Sequence, residues 1–328
     1  MAKIDIKKIQ AEAAAKYIHN PTEDFAGAPI IDISKIVSDV QKLYAKDKKV
    51  FDIVTTGDVI KTTYTVDDVI PLPESNPICR LFGTPGLPYN KIVQFAGRPD
   101  SGKSTASLEL IVGAQKAGVQ VILWDSEDKF DSGRLTSMGG NPKRILLAKT
   151  NEILKGGELL RKFTTAVKEQ APNAKILLVW DSVGGSQSRG HAERELDNEK
   201  HGQPGQDAKE IGSVMKTLIS LINKYPDSIA VYVANQVYAK IGFMMKGDAA
   251  SGGSKLEYFS SGVVFLRRIK ILTKKVKGSE VKTGIITRAT VSKDHITRSE
   301  TSVYKMDFTI TAEGYSPLSD MDESDDEE

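Results

Sequence analysis

Apolar residues follow two rhythms along this chain of 328 residues. From Lys91 onward, short uninterrupted apolar runs alternate with longer segments whose apolar positions recur every three or four residues. Uninterrupted runs of that length fit strands buried on both faces, and the wider spacing fits helices packed along one side. The expected strands are Ile92–Ala96, Val119–Trp124, Ile145–Leu147, Ile176–Trp180 and Ile229–Ala234, with helices near 104–116, 157–170 and 207–224. This alternation predicts an α/β fold around a mostly parallel sheet. Beyond Val263 the runs Val263–Ile271, Ile285–Ser292 and Val303–Thr311 are β-prone without helical patterns between them, which predicts an antiparallel extension. No internal repeat is visible.

The first quarter of the chain is patterned differently. Residues 5–18 read as a short helix because Ile6, Ile9, Ala13 and Tyr17 form one apolar stripe, and His19-Asn20-Pro21 ends it. Ile30 to Ile33 fits a short extended segment, and Ser34 is placed to cap a second helix carrying Ile36, Val37, Val40, Leu43 and Tyr44. The Thr-rich alternation over 51–72 predicts a hairpin. Five prolines with Gly83 and Gly86 between Pro71 and Pro88 predict an irregular lead into the core. The expected organisation is a small N-terminal α/β appendage over 1–75, whose apolar helix face either folds back or docks on another subunit, a core over 76–316 and an acidic tail over 317–328.

The run Ile92–Ala96 leads into Gly97-Arg98-Pro99-Asp100-Ser101-Gly102-Lys103-Ser104, and a breaker-poor helical segment to Lys116 follows. This is the full G-x-x-x-x-G-K-[ST] spacing in the strand, loop and helix order that a phosphate loop requires. Gly97 and Gly102, with Asp100 and Ser101 between them, let backbone N–H groups turn inward at a helix N-terminus. Lys103 places a cation on the β- and γ-phosphates, Ser104 offers a hydroxyl to Mg²⁺, and Thr105 packs beside the α-phosphate. The expected ligands are ATP and Mg²⁺.

Three further strand ends carry polar groups that would open at the same sheet edge. Asp181 follows Ile176–Trp180 and suits the Mg²⁺ shell beside the phosphate loop. Asp125-Ser126-Glu127 follows Val119–Trp124; Glu127 reads either as the group that orients or deprotonates the attacking water, or as part of a helix-capping acidic turn. Asn235-Gln236 ends Ile229–Ala234, where an amide would bond a γ-phosphate oxygen and lose that bond on hydrolysis, or would simply close the strand. Phe243 to Gly253 holds too many Gly and small residues for a regular element and reads as a loop with apolar tips. Gly184 to Gln206 is a second long irregular segment, in which Arg189 and Arg194 are offset by Glu193, Glu195, Asp197 and Glu199. His191 and His201 lack a third ligand at metal spacing, which argues against a metal site there.

Composition narrows the class. A hydrophobic content of 40% supports a sizeable core, and a single cysteine, Cys79, rules out an intramolecular disulfide and suits a reducing compartment. No apolar run approaches the roughly 18 residues of a membrane span, and the first residues carry no signal-peptide block, so a soluble cytoplasmic protein is expected. The net charge of +2 hides a division. Residues 319–328 carry seven acids and no base, and setting those seven aside leaves a body of +9. Such a tail is expected to stay disordered. Residues 267–305 hold eleven bases against three acids, a surplus that favours a polyanionic partner.

Leu87-Pro88-Tyr89-Asn90-Lys91-Ile92-Val93, the phosphate loop, Asp125-Ser126-Glu127, Ser137-Met138-Gly139 with Pro142 and Arg144, Val179-Trp180-Asp181-Ser182, Asn235-Gln236 and Gly252-Gly253 occur as an ordered set. The set resembles the RecA family of DNA strand-exchange ATPases, most closely its T4-like bacteriophage branch, the UvsX type, from about Leu81 to Tyr315. The resemblance implies a RecA-like core and a DNA-dependent ATPase of recombination and repair, in a bacterial or phage-infected cytoplasm. Such a protein forms a helical homo-oligomeric filament on single-stranded DNA and pairs it with homologous double-stranded DNA, with loader and single-strand-binding proteins as further partners.

Residue by residue, the resemblance makes Glu127 the catalytic carboxylate, and it makes Gln236 the amide that couples the γ-phosphate to a second DNA loop. That loop would span about Val237 to Gly253 and include Lys240, Phe243, Met244, Lys246, Gly252 and Gly253. A first DNA loop would span about Ser186 to Gln206, with Arg189 and Arg194, and Lys209 stands where the family has a DNA-contacting arginine. Asp131 would lie near the adenine, and Arg134 replaces an aromatic residue that stacks on it. Lys293 matches the first of two lysines that reach a neighbour's ATP, and His295 replaces the second. The chain passes from its last β-prone run into the acidic tail without the C-terminal domain of bacterial RecA; residues 1–75 lie outside the stretch that carries the resemblance, and by analogy with the family a helix and strand there would pack on the adjacent protomer. A hexameric RecA-fold DNA helicase or other DNA motor, and a non-motor nucleotide-binding module, are the alternative readings.

Overall fold

A computed structural model describes residues 63–189, 205–239, 248–250, 253–297 and 303–318, together with isolated positions before residue 43. The chain divides into two compact units, residues 1–60 and 61–328. In the first, Lys35, Ile36, Ser38 and Lys42 are helical, as the Ser34 cap predicts. The expected helix at 5–18, the strand at 30–33 and the acidic tail at 319–328 lie outside the described residues, as do positions 51–62 of the expected hairpin.

Among the described residues of the second unit, Val69–Pro71 (β1) pairs antiparallel with Gly86–Pro88 (β2), with Val69, Ile70 and Leu87 all buried. The stretch between them is more regular than its prolines suggest. Asn76 accepts a hydrogen bond from the Ile78 N–H, Pro77 takes the first helical position where no N–H is needed, and Pro77–Phe82 forms helix α1.

The strands that follow are Ile92–Gly97 (β3), Gln120–Asp125 (β4), Ile145–Lys149 (β5), Ile176–Asp181 (β6), Ile229–Ala239 (β7), Asp248–Ala250 (β8), Gly262–Val276 (β9), Ser279–Asp294 (β10), Lys305–Thr311 (β11) and Gly314–Pro317 (β12). Interspersed are helices Lys103–Lys116 (α2), Ser132–Ser137 (α3), Ile153–Gln170 (α4), Gln206–Lys224 (α5) and Gly253–Phe259 (α6). The main sheet runs β12-β11-β10-β9-β3-β7-β6-β4-β5, with β8 on β7. Pairing is parallel from β9 through β3, β7, β6 and β4 to β5, and antiparallel from β9 outward to β12, which is the expected extension.

The uninterrupted apolar runs are explained by cover on both faces. Along β6, Leu177 and Val179 point into a core shared with α1 and α2, while Ile176, Leu178 and Trp180 point into a second core shared with α4 and α5. No helix among the described residues is long and apolar enough to cross a membrane.

Two element boundaries depart from the pattern for packing reasons. The segment Phe243 to Gly253 is not wholly irregular, because Asp248–Ala250 pairs antiparallel with Val237–Ala239 and Gly253 begins α6. Small residues there reflect strand pairing and a helix start. Helix α4 begins at Ile153, ahead of the expected start near 157, and takes in both Gly156 and Gly157. A Cβ on Gly156 would sit 2.0 Å from Cε2 of Trp124, which is fully buried and stacked on Trp180 with ring centroids 4.2 Å apart. Glycine is required there by the indole rather than by a turn.

This predicts the sign of a substitution. Alanine improves helix propensity over glycine by at most about 1 kcal/mol, whereas forcing a methyl group into a rigid packed ring costs about 1–3 kcal/mol or more. Gly156→Ala is therefore expected to destabilise the protein, read as a lower denaturant midpoint; an unchanged or raised midpoint would contradict this packing account.

Candidate functional site

Parallel strands in register deliver their ends to one edge. Asp125 lies opposite Asp181, Asp181 lies opposite Ala234, and Gln236 lies opposite Gly97. These ends surround a cavity of about 360 Å³ whose polar wall includes Asp100, Lys103, Ser104, Glu127, Asp181 and Gln236, and whose apolar wall includes Leu108, Ile111, Leu123 and Phe130.

The loop from Gly97 to Ser104 carries β3 into α2. Gly102 takes φ +105°, and a Cβ there would come within 2.3 Å of Ile310 Cδ1, so conformation and space both demand glycine. Lys103 donates from Nζ to the carbonyls of Gly97 (2.8 Å) and Arg98 (2.9 Å). Burial pushes its ammonium below the ordinary lysine range, and the charges of Asp181, Glu127 and Asp100 offset part of that push. Tyr232 donates from its hydroxyl to the Lys103 carbonyl at 2.9 Å, which pins the first turn of α2. Ser104 is exposed at the mouth, and Ser101 is buried with a hydroxyl that has no hydrogen-bond partner.

The two strand-end carboxylates of Asp125-Ser126-Glu127 divide their work. Asp125 accepts from the backbone N–H groups of Glu127, Lys129 and Phe130 and so shapes the loop. Glu127 faces the mouth: one oxygen accepts from the Ser182 hydroxyl and from Gln236 Nε2 (2.7 Å), and the other accepts from Lys129 Nζ at 2.5 Å. Burial pushes the Glu127 carboxyl up, but the bonds from Lys129, Ser182 and Gln236 outweigh it and hold the group below the ordinary glutamate range. Asp181 goes the other way. Burial raises its carboxyl, against hydrogen bonds from Ser107 (2.9 Å) and Ser104 and the charge of Lys103.

Asp131 is exposed and caps α3 by accepting from the Arg134 N–H, while the Arg134 guanidinium donates to the Thr105 hydroxyl (3.0 Å) and the Thr311 carbonyl (3.1 Å). Arg134 and Thr105 also border a second depression with Asp100, Gly102 and Lys282. Lys293 lies away from this edge, donating to the Glu257 and Tyr258 carbonyls at the end of α6. Of the proposed DNA contacts, Arg189 is exposed, Lys209 is exposed in the first turn of α5, and Gly253 starts α6. Arg194, Lys240, Phe243, Met244, Lys246 and Gly252 fall outside the described residues.

The site contains residues that sequence reading did not single out. Ser107, one turn after Ser104 on α2, shares Asp181, and helical spacing alone marks it. Ser182 and Ser126 cross-brace the two strand ends, with the Ser126 hydroxyl bonded to both the carbonyl and the N–H of Ser182. Lys129 belongs to an exposed turn whose sequence gives no sign of its partner.

Comparison with known proteins bears on what this arrangement is. The family described as RecA N-terminal domain matches residues 34–310. Among individual relatives, a Protein RecA of Methylobacterium sp. (strain 4-46) is 25% identical over 263 residues, covering 80% of this chain and 67% of that protein. A Protein RecA of Caulobacter sp. (strain K31) is 28% identical over 187 residues, 57% of this chain and 49% of that protein. One from Rickettsia africae (strain ESF-5) is 27% identical over 207 residues, 62% of this chain and 57% of that protein. The matched region thus spans between about half and two thirds of the length of these relatives. With the family match covering most of the chain, and with the phosphate loop and strand-end groups gathered at one edge, the chain belongs to the RecA family.

Proposed function

We propose that the chain is a DNA-dependent ATPase that forms filaments on single-stranded DNA and pairs that strand with homologous duplex. The observation that carries the reading is the bond between Gln236 and Glu127 at the mouth of the phosphate loop. It joins a carboxylate suited to water activation to the strand that continues to Ala239, directly before residues 240–247. A change at the γ-phosphate would thereby reach the segment proposed to touch DNA.

In this reading the α2 N-terminus and Lys103 bind the triphosphate, and Ser104 and Asp181 hold Mg²⁺. The residues present suit such an ion: the Asp181 carboxylate and the Ser104 hydroxyl already meet beside Lys103. Held there, the ion would supply positive charge to offset the negative charge that develops on the phosphate during transfer. Glu127, kept ionised by its three donors, accepts a proton from water as the water oxygen bonds to the γ-phosphorus and the bond to the β,γ-bridging oxygen breaks. Arg134 and Asp131 border the base, and Lys293 faces the nucleotide of the next protomer. Arg189, Arg194 and Lys209, with Lys240, Phe243, Met244, Lys246, Gly252 and Gly253, form the DNA-facing side, where phosphate neutralisation combines with insertion between bases. The UvsX-type affinity and the N-terminal protomer contact belong to the same proposal.

Two experiments test it. Lys103→Ala is expected to abolish ATP binding or turnover. Glu127→Gln is expected to keep binding and lose hydrolysis by about a hundredfold or more, the scale of a positioned base. Wild-type turnover in Glu127→Gln would remove that residue from the role. Negative-stain microscopy with single-stranded DNA and a non-hydrolysable ATP analogue should reveal helical filaments; closed rings would instead favour a hexameric motor.

A further inference from the structure

Three consecutive residues of the phosphate loop are each held by a different strand of the antiparallel extension. The Asp100 carboxylate pairs with Arg268 of β9 at 3.4 Å. The Ser101 carbonyl accepts from the Thr287 hydroxyl of β10 at 3.2 Å. The Gly102 carbonyl accepts from the Tyr315 hydroxyl of β12 at 3.0 Å. The first contact is exposed and contributes little. The other two are interior, with Thr287 fully buried and Tyr315 only 6% exposed.

Tyr315 is itself fixed from several sides. Its N–H donates to Glu109 of α2 at 2.6 Å, Glu109 also accepts from the Asn76 side chain that caps α1, and the Tyr315 ring meets Phe308 edge to face. The helix that begins at the phosphate loop is therefore bolted to β12 nearly two turns further on, and β12 reaches back to the loop.

The backbone between these anchors needs them. Asp100 takes φ +58°, a left-handed conformation that a non-glycine residue in a free chain populates sparingly, and Gly102 takes φ +105°, one of many conformations open to a free glycine. A ligand that binds only the formed loop loses apparent affinity in proportion to the fraction of molecules lacking it.

We propose that Thr287 and Tyr315 are positioning residues for nucleotide binding, holding the phosphate loop in its binding conformation through the carbonyls of Ser101 and Gly102. The proposal rests on the ATP reading above. Neither side chain borders the cavity that contains Lys103 and Glu127, so any effect on ATP passes through the loop backbone. The chemistry after binding is untouched, and the effect falls on affinity rather than on the turnover of the saturated enzyme.

Calorimetric titration of the full chain with ATP and Mg²⁺, alongside steady-state ATPase kinetics, tests this. Thr287→Val and Tyr315→Phe are each expected to weaken ATP binding about fivefold, the effect of one lost interior hydrogen bond, and kcat at saturating ATP should stay within about twofold. Thr287→Ser keeps the hydroxyl and should retain wild-type affinity, a rescue that a purely structural role for the methyl group would not give. Should Tyr315→Phe fail to fold, the comparison of Thr287→Val with Thr287→Ser carries the same test. Wild-type affinity in the folded Thr287→Val and Tyr315→Phe proteins, or equal weakening in Thr287→Val and Thr287→Ser, overturns the proposal. A wild-type chain that binds no ATP overturns the functional reading as well, which separates the two failures.

Discussion

The site depends above all on the shared register of four parallel strands. β4, β6, β7 and β3 pair in step, so Asp125 and Asp181 emerge at one level, with Gln236 and Gly97 level with each other two residues further along the same edge. A slip of one residue in any of these strands would turn its end group toward the wrong face and move its apolar side chains between the two cores. The cost of such a slip is large because both faces are filled, with Trp124, Trp180 and Tyr232 among the fully buried side chains. Hydrophobic packing on two sides therefore fixes the placement of polar groups that contribute nothing to that packing.

Within that frame, short polar contacts set what each group can do. Two carboxylates two residues apart, Asp125 and Glu127, end in opposite circumstances. Asp125 is consumed by three backbone N–H groups, whereas Glu127 is held by side chains from three separate segments: Lys129 from its own loop, Ser182 after β6 and Gln236 on β7. The proposed base is thus tied to both neighbouring strand ends, and a shift of either strand would change its hydrogen bonding. Asp181 and Lys103 show the complementary pattern, each driven toward its neutral form by burial and drawn back by the other's charge.

Much of this was legible in the sequence, for identifiable reasons. The phosphate loop is a local motif whose spacing and flanks carry its geometry, and strands covered on both faces read as apolar runs, so β3, β4, β6 and β7 were placed to within a few residues except at the far end of β7. What escaped was decided by distant partners. Gly156 carries no local sign of Trp124, the distant residue that presses on it, and α4 extends back past the expected start to include it. The pairing of Val69–Pro71 with Gly86–Pro88, across α1, has no local sign in either segment. Asp248–Ala250 reads as loop because three small residues gain their regularity only from the extended end of β7. Tyr315 carries no local signal, since its partner Gly102 lies 213 residues away and meets it only when the chain folds.

The stacked indoles of Trp124 and Trp180 have a consequence outside packing. They are the only two tryptophans in the chain, and each immediately precedes a strand-end carboxylate, Asp125 or Asp181. Their centroids are 4.2 Å apart with an interplanar angle of 11°, and their ring nitrogens donate to the Thr150 carbonyl and the Ser186 hydroxyl. All tryptophan emission therefore arises from one stacked pair lying directly beneath the mouth of the site. The molecule carries a built-in optical gauge of that sheet edge, sensitive to any displacement of β4 against β6 and needing no added label.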